Sequence, residues 1–137
     1  MDLIADTNIV IAALIRPGTT RALLFSSQIA IYSPSYLSEE LKAHEKEILE
    51  KSGLDSESYG KAMGLVLSNI AIASLPEYSE FETRAKEISP DADDWPFFAL
   101  SLKLGCAIWS NDKMLKKQAI CPVCDTADLI GCLIRTP

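Results

Sequence analysis

Five short apolar runs recur along the chain: LIA (3–5), IAIY (29–32), IAIA (70–73), CAIW (106–109) and AICPV (119–123). They are brief, β-branched or aromatic, and nearly continuous rather than alternating, which is the pattern of strands buried on both faces. The segments between them have helical character. Residues 8–27 predict one helix or two short ones, with Pro17-Gly18 as the break. Residues 36–68 predict two helices split near Ser52-Gly53, and residues 77–104 another pair split near Ser89-Pro90. Short helices are expected at about 111–118 and 125–134. Strands alternating with helices imply right-handed crossovers and a parallel sheet covered on both sides. The expected fold is therefore a three-layer α/β/α arrangement around a parallel sheet of about five strands. No repeat, linker or low-complexity tract interrupts it, so one domain over residues 1–137 is expected.

In such sheets ligands bind beyond the carboxyl ends of the strands, where the winding reverses. The first run stops at Asp6, in IADTN, and the fourth at Ser110-Asn111-Asp112, in IWSND. A strand order of 3-2-1-4-5, which the pattern permits without proving, makes strands one and four neighbours at that point. Asp6 and Asp112 then face each other across the crevice.

Two further acids have helical settings. In SYLSEELKAHEKEIL, Leu37, Leu41, Ile48 and Leu49 form an apolar stripe, with Glu39 nearly opposite it and Glu40 at its margin. Glu40 can thus lean toward the sheet while Glu39 points to water. The run DDWPFFALS (93–101) sets two aspartates against the most hydrophobic stretch of the chain. Pro96 fits a first helical turn, and an aspartate just before it can cap the helix. The apolar residues that follow pack such a helix firmly and would mount Asp94 at the crevice.

Asp6, Glu40, Asp94 and Asp112 gathered in one place would repel and raise one another's pKa values. A hard divalent cation removes that conflict, and Mg²⁺ or Mn²⁺ matches an all-oxygen donor set. Such ions support phosphoryl displacement. The only histidine, His44, lies one helical turn beyond Glu40, so no Ser-His-Asp arrangement competes, and no Gly-rich phosphate loop is present.

Composition changes this picture little. Of 137 residues, 48% are apolar and 23% charged, as in a folded globular chain. The net charge of −6 argues against a broad electrostatic grip on nucleic acid, although acids gathered around cations also count toward it. No run approaches the ~20 apolar residues of a membrane span, and the N-terminus lacks the basic start of a signal peptide. A cytoplasmic protein is expected. Cys121 and Cys124 form a CxxC without a second metal-binding pair, and structural thiols are the simpler reading.

Four features, in order, resemble the PIN-domain family of metal-dependent ribonucleases, which includes the toxins of VapBC-type toxin–antitoxin pairs. They are the opening strand into Asp6-Thr7-Asn8, the SxxLSEEL helix with Glu40, the run 91–102 with Asp94, and WSNDK (109–113) with Asp112. The last two resemble a prokaryotic subgroup especially well. The resemblance implies an α/β/α fold, a carboxylate site for one or two Mg²⁺ or Mn²⁺ ions, and endonucleolytic hydrolysis of RNA leaving a 5′-phosphate. It makes Asp6, Asp94 and Asp112 metal-ligand candidates, with Glu40 a ligand or an aid in orienting the nucleophile. Thr7, Asn8, Ser110 and Asn111 are implied as supports of those ligands, with helix capping or a turn as the competing reading. Asp94 is preferred over Asp93 and Asp91 because it stands two residues before Pro96. Arg16, Arg21 and Lys113 are candidate phosphate contacts. The resemblance also implies an RNA substrate, a homodimer and a cognate antitoxin. Its alternatives are a non-catalytic PIN-like binding module and a housekeeping RNA-processing nuclease. A phosphatase with an aspartate after strand one would want a second acid where Asn8 stands, and a signalling receiver would want a lysine that CPVCDT (121–126) lacks.

Overall fold

The structure is a computed structural model and describes residues 1–135. Five strands, β1 (Asp2–Ala5), β2 (Ala30–Pro34), β3 (Ile70–Ala73), β4 (Ala107–Trp109) and β5 (Val123–Cys124), form one parallel sheet in the order β3-β2-β1-β4-β5. The α/β/α expectation and its 3-2-1-4-5 order both hold. The chain first winds outward from β1 to β2 and β3, then crosses back to β4, so the winding reverses between β1 and β4. In register, Ile4 pairs with Ile108 and Ala5 with Trp109.

Alternation along the strands divides the core into two layers. Leu3, Ala5 and Trp109 face α1 (Thr7–Ile15), α2 (Thr19–Leu24), α3 (Tyr36–Ala43), α4 (Glu45–Ser52), α5 (Ser56–Ser68) and α9 (Thr126–Arg135). Ile4 and Ile108 face α6 (Leu75–Tyr78), α7 (Glu82–Ile88) and α8 (Trp95–Leu104). Helix α8 is the anchor of that second layer: Pro96 through Ser101 are all buried, and Phe98 is wholly inaccessible. Its end is set by Gly105 at φ 66°, a left-handed turn that glycine adopts without strain.

Helix α6 is additional to the expected elements, and three others differ from expectation. The region 36–68 holds three helices, because the chain breaks at His44 (φ −99°, ψ 6°) as well as at Gly53. Residues Lys113–Lys117 form 3₁₀ rather than α turns. The fifth strand is Val123–Cys124 instead of 119–123. The Gln118 side chain explains that shift, accepting from the Ile120 and Cys121 amides at 3.0 and 2.8 Å and donating to the Cys121 carbonyl at 2.8 Å. A backbone satisfied by a side chain has no call on the sheet ladder, and Pro122 has no N–H to offer it. Cys121 packs in the second layer and Cys124 against the first, so the CxxC thiols lie on opposite faces of the sheet.

Candidate active site

Strands β1 and β4 end side by side, and the residues just past them build the site. The Asp6 amide donates to the Trp109 carbonyl at 3.1 Å, extending the ladder one step beyond the strands. The Asp6 side chain then turns inward as the N-cap of α1: Oδ1 accepts from the Ile9 amide at 3.0 Å, and Oδ2 accepts from the Ser110 hydroxyl. Ser110 Oγ also accepts from the Asp112 amide at 3.0 Å, so one buried hydroxyl joins the two strand-end aspartates. On the other side, the Thr7 hydroxyl donates to Glu40 Oε1, tying α3 to the start of α1. Glu40 is partly buried and Glu39 exposed, as the helical stripe predicts.

Asp94 reaches the same place differently. It occupies the N-cap position of α8 but makes no capping hydrogen bond there. Asp91 takes the capping part in the preceding turn, accepting from the Asp93 amide at 3.0 Å. The capping reading thus does not account for the Asp94 carboxylate. Instead it lines a small cavity of ≈60 Å³ together with Asp6, Glu40 and Asp112, with Thr7 and Asn8 on the same wall. A water needs roughly 10–15 Å³ of such volume, so the cavity has room for a partly hydrated ion.

The electrostatics express the crowding. Burial pushes the Asp6 carboxyl up to about 6; hydrogen bonds from Ser110 and Ile9 oppose this, and the Asp112 and Glu40 charges add to it. Burial likewise lifts Asp94 to about 6, helped by Asp91, Glu40, Asp6 and Asp112. A group of oxygens that resists ionising without a counter-charge suits a hard cation. Among the described residues, no three acidic, histidine or cysteine side chains converge tightly enough to hold an ion as they stand. Both Asp6 oxygens and one Glu40 oxygen accept from protein donors, each keeping a further lone pair. The all-oxygen donor set fits Mg²⁺ or Mn²⁺ in kind.

A family model described as PIN domain matches residues 4–121, which span all four carboxylates. The chain belongs to the PIN-domain family. PIN domains are in general nucleases, and typically use divalent metal ions. No curated protein matches this sequence.

The remaining predicted residues of this PIN domain are distributed unevenly. Thr7 is buried and bonded to Glu40, and Asn8 is exposed on the cavity wall. Asn111 turns away, its Oδ1 accepting from the Thr126 amide at 2.8 Å to cap α9. Asp93 and Asp91 do not line the acidic cavity, and Asp94 does. Arg21 closes the end of α1, with Nε donating to the Ala13 carbonyl at 2.7 Å. His44, one helical turn beyond Glu40 and no candidate catalyst from the sequence, stands on the cavity rim, with Nδ1 3.3 Å from Glu47. The break that puts it there has no apolar signature, since both flanking turns keep the same stripe.

The raised Asp6 carboxyl makes stability depend on pH with a definite sign. In the fold it holds a proton up to about pH 6, whereas an unperturbed aspartate loses it near 3.8. The native state thus binds more protons across that window, and its stability falls as pH rises through it. In EDTA, Asp6→Asn should be more stable than the parent at pH 7.5, by roughly 2–3 kcal/mol. The gap should shrink on lowering the pH to 5. Denaturant titrations at the two pH values measure this, and an unchanged gap would remove burial of charge as the cause.

Proposed function

We propose that this PIN domain is a Mg²⁺- or Mn²⁺-dependent endoribonuclease that hydrolyses RNA phosphodiester bonds. The observation that carries this reading is the convergence of Asp6, Glu40, Asp94 and Asp112 on one cavity at the switch point, with Asp6 and Asp94 unwilling to ionise alone. Asp6, Asp94 and Asp112 would hold the ions, and Glu40 would complete the set or orient the attacking water. The bound cations would supply Lewis-acid activation and charge neutralisation at the phosphate. Ser110 and the Ile9 amide fix the Asp6 carboxylate, and Thr7 fixes one oxygen of Glu40, so each acid presents a restricted set of lone pairs. The chain's net negative charge implies that RNA is gripped locally, at the cation site, rather than over a wide basic face.

The role of toxin, with a cognate antitoxin and a homodimeric state, belongs to the same proposal and rests on the resemblance of residues 91–113 to that subgroup. No helix of the described residues is long and apolar enough to cross a membrane. Incubating the protein with a mixed RNA pool in Mg²⁺, Mn²⁺ or EDTA tests the reading. Cleavage in either metal and none in EDTA is the expected result. Metal binding by a folded, inhibitor-free protein that leaves the RNA intact would instead establish a non-catalytic binding module.

A further inference from the structure

A second cavity, of ≈330 Å³, lies against the acidic one. Neighbouring residues of the same two helices line both. From α3, Tyr36 and Glu39 face the larger cavity, and Glu40 the smaller. At the start of α8, Asp93 and Trp95 face the larger, and Asp94 and Phe97 the smaller. The partition is one aromatic pair thick: Tyr36 and Phe97 meet edge to face, with ring centroids 6.3 Å apart. A nucleotide next to a phosphate held at the carboxylates would meet this cleft across that aromatic pair.

The cleft has the wrong chemistry for a phosphate. It is lined by two carboxylates, Glu39 and Asp93, and by no lysine or arginine. Among the described residues, neither carboxylate makes a side-chain hydrogen bond or an ion pair, so both are open to donors. It also carries an aromatic wall, formed by Trp95 with Tyr36 and Tyr78. The indole is preset: Tyr78 packs on it at 5.8 Å, and the Lys86 ammonium lies 5.5 Å from its centroid. Aromatic surface beside hydrogen-bonding groups is how proteins hold an unstacked nucleobase and read its Watson–Crick edge. A carboxylate accepts only, so it favours a base whose edge donates. Guanine offers adjacent N1–H and N2–H groups in the parallel geometry that a carboxylate takes two at a time.

We infer that the cleft between α3 and α8 is a nucleobase subsite, in which Glu39 reads the donor edge of a guanine flanking the scissile phosphate. This rests on the ribonuclease reading, and the test separates the two. The first arm cleaves a random RNA pool with Mn²⁺ and sequences the new 5′ ends. Guanine enrichment at one fixed position beside the cut is expected, and Glu39→Gln should lower the guanine-to-other ratio by about 10-fold, within the range of a lost bidentate base contact. The second arm needs no catalysis: guanosine and uridine are titrated into the protein in EDTA, read by tryptophan fluorescence. Trp109 is fully buried, so a change reports Trp95. Guanosine should bind more tightly than uridine, and Glu39→Gln should weaken guanosine about 10-fold. Cleavage without guanine preference, or a preference that Glu39→Gln leaves intact, overturns the subsite and spares the nuclease. Selective guanosine binding without any cleavage overturns the nuclease and spares the subsite. Neither cleavage nor guanosine binding overturns both.

Discussion

Asp6→Asn is expected to abolish metal-dependent RNA cleavage, by at least about 100-fold, while leaving a folded protein. The loss follows from position. Asp6 is buried at the end of the central strand, and it lines one small cavity with Glu40, Asp94 and Asp112. A cation that neutralises developing charge on a phosphoryl group contributes several kcal/mol, and each ~1.4 kcal/mol lost is a factor of ten in rate. Asparagine keeps the shape and the Oδ1 acceptor for the Ile9 amide, so the cap of α1 survives. What it removes is the charge, together with the Oδ2 acceptor of the Ser110 hydroxyl, which an amide NH₂ replaces. The same substitution should therefore raise stability at neutral pH in EDTA and destroy activity in metal, a pairing that simple misfolding cannot produce. Single-turnover cleavage of the pool in Mn²⁺, beside a circular-dichroism melt, measures both. Activity within a few-fold of the parent would sink the acidic-site mechanism.

Phe98→Ala should have the largest effect on the fold. Phe98 is wholly inaccessible within the layer that holds α8 to Ile4 and Ile108 of the sheet. Truncating a buried phenylalanine removes apolar contact and leaves a cavity, which costs about 3–5 kcal/mol. A domain of this size has only roughly 5–15 kcal/mol in total. Phe98→Leu keeps more of the volume and should cost clearly less. Urea titration of the three proteins gives the ordering, and cleavage measured under conditions where each is fully folded tests a second point. Helix α8 is the mount of Asp94, whose carboxylate has no capping bond to hold it. If that packing positions the acid, Phe98→Ala should lose activity even when folded, whereas Phe98→Leu should keep most of it. Equal activity in all three would show that Asp94 is placed by something other than α8.

These expectations mix what is local with what is not, and the boundary is physical. The period of apolar residues is a property of the chain itself. It was enough to predict a parallel α/β/α sheet, the breaks at Pro17-Gly18, Gly53 and Ser89-Pro90, and the partition of Glu39 from Glu40. The strand-end positions of Asp6 and Asp112 were equally legible, because strand termini are marked by where the apolar run stops. The fifth strand was misplaced where a side chain, Gln118, took over the hydrogen bonds that a strand would have used. A one-dimensional pattern records apolarity, and it holds no trace of which donor a backbone carbonyl will find.

The preference for Asp94 over Asp91 and Asp93 came from the resemblance and not from the apolar pattern, for a related reason. All three precede the same helix, and only the turn Ala92–Asp94 and the packing of α8 send them to three different surroundings. Asp91 closes the turn, Asp93 faces the aromatic cleft, and Asp94 faces the other carboxylates. Asn111, equally polar and beside Asp112, is claimed by the start of α9. From the sequence came the fold class and the acids available to it, because hydrophobic period and residue chemistry are carried residue by residue. The tertiary structure alone decided which acids share a cavity, since the direction of a side chain depends on helices packed from distant parts of the chain.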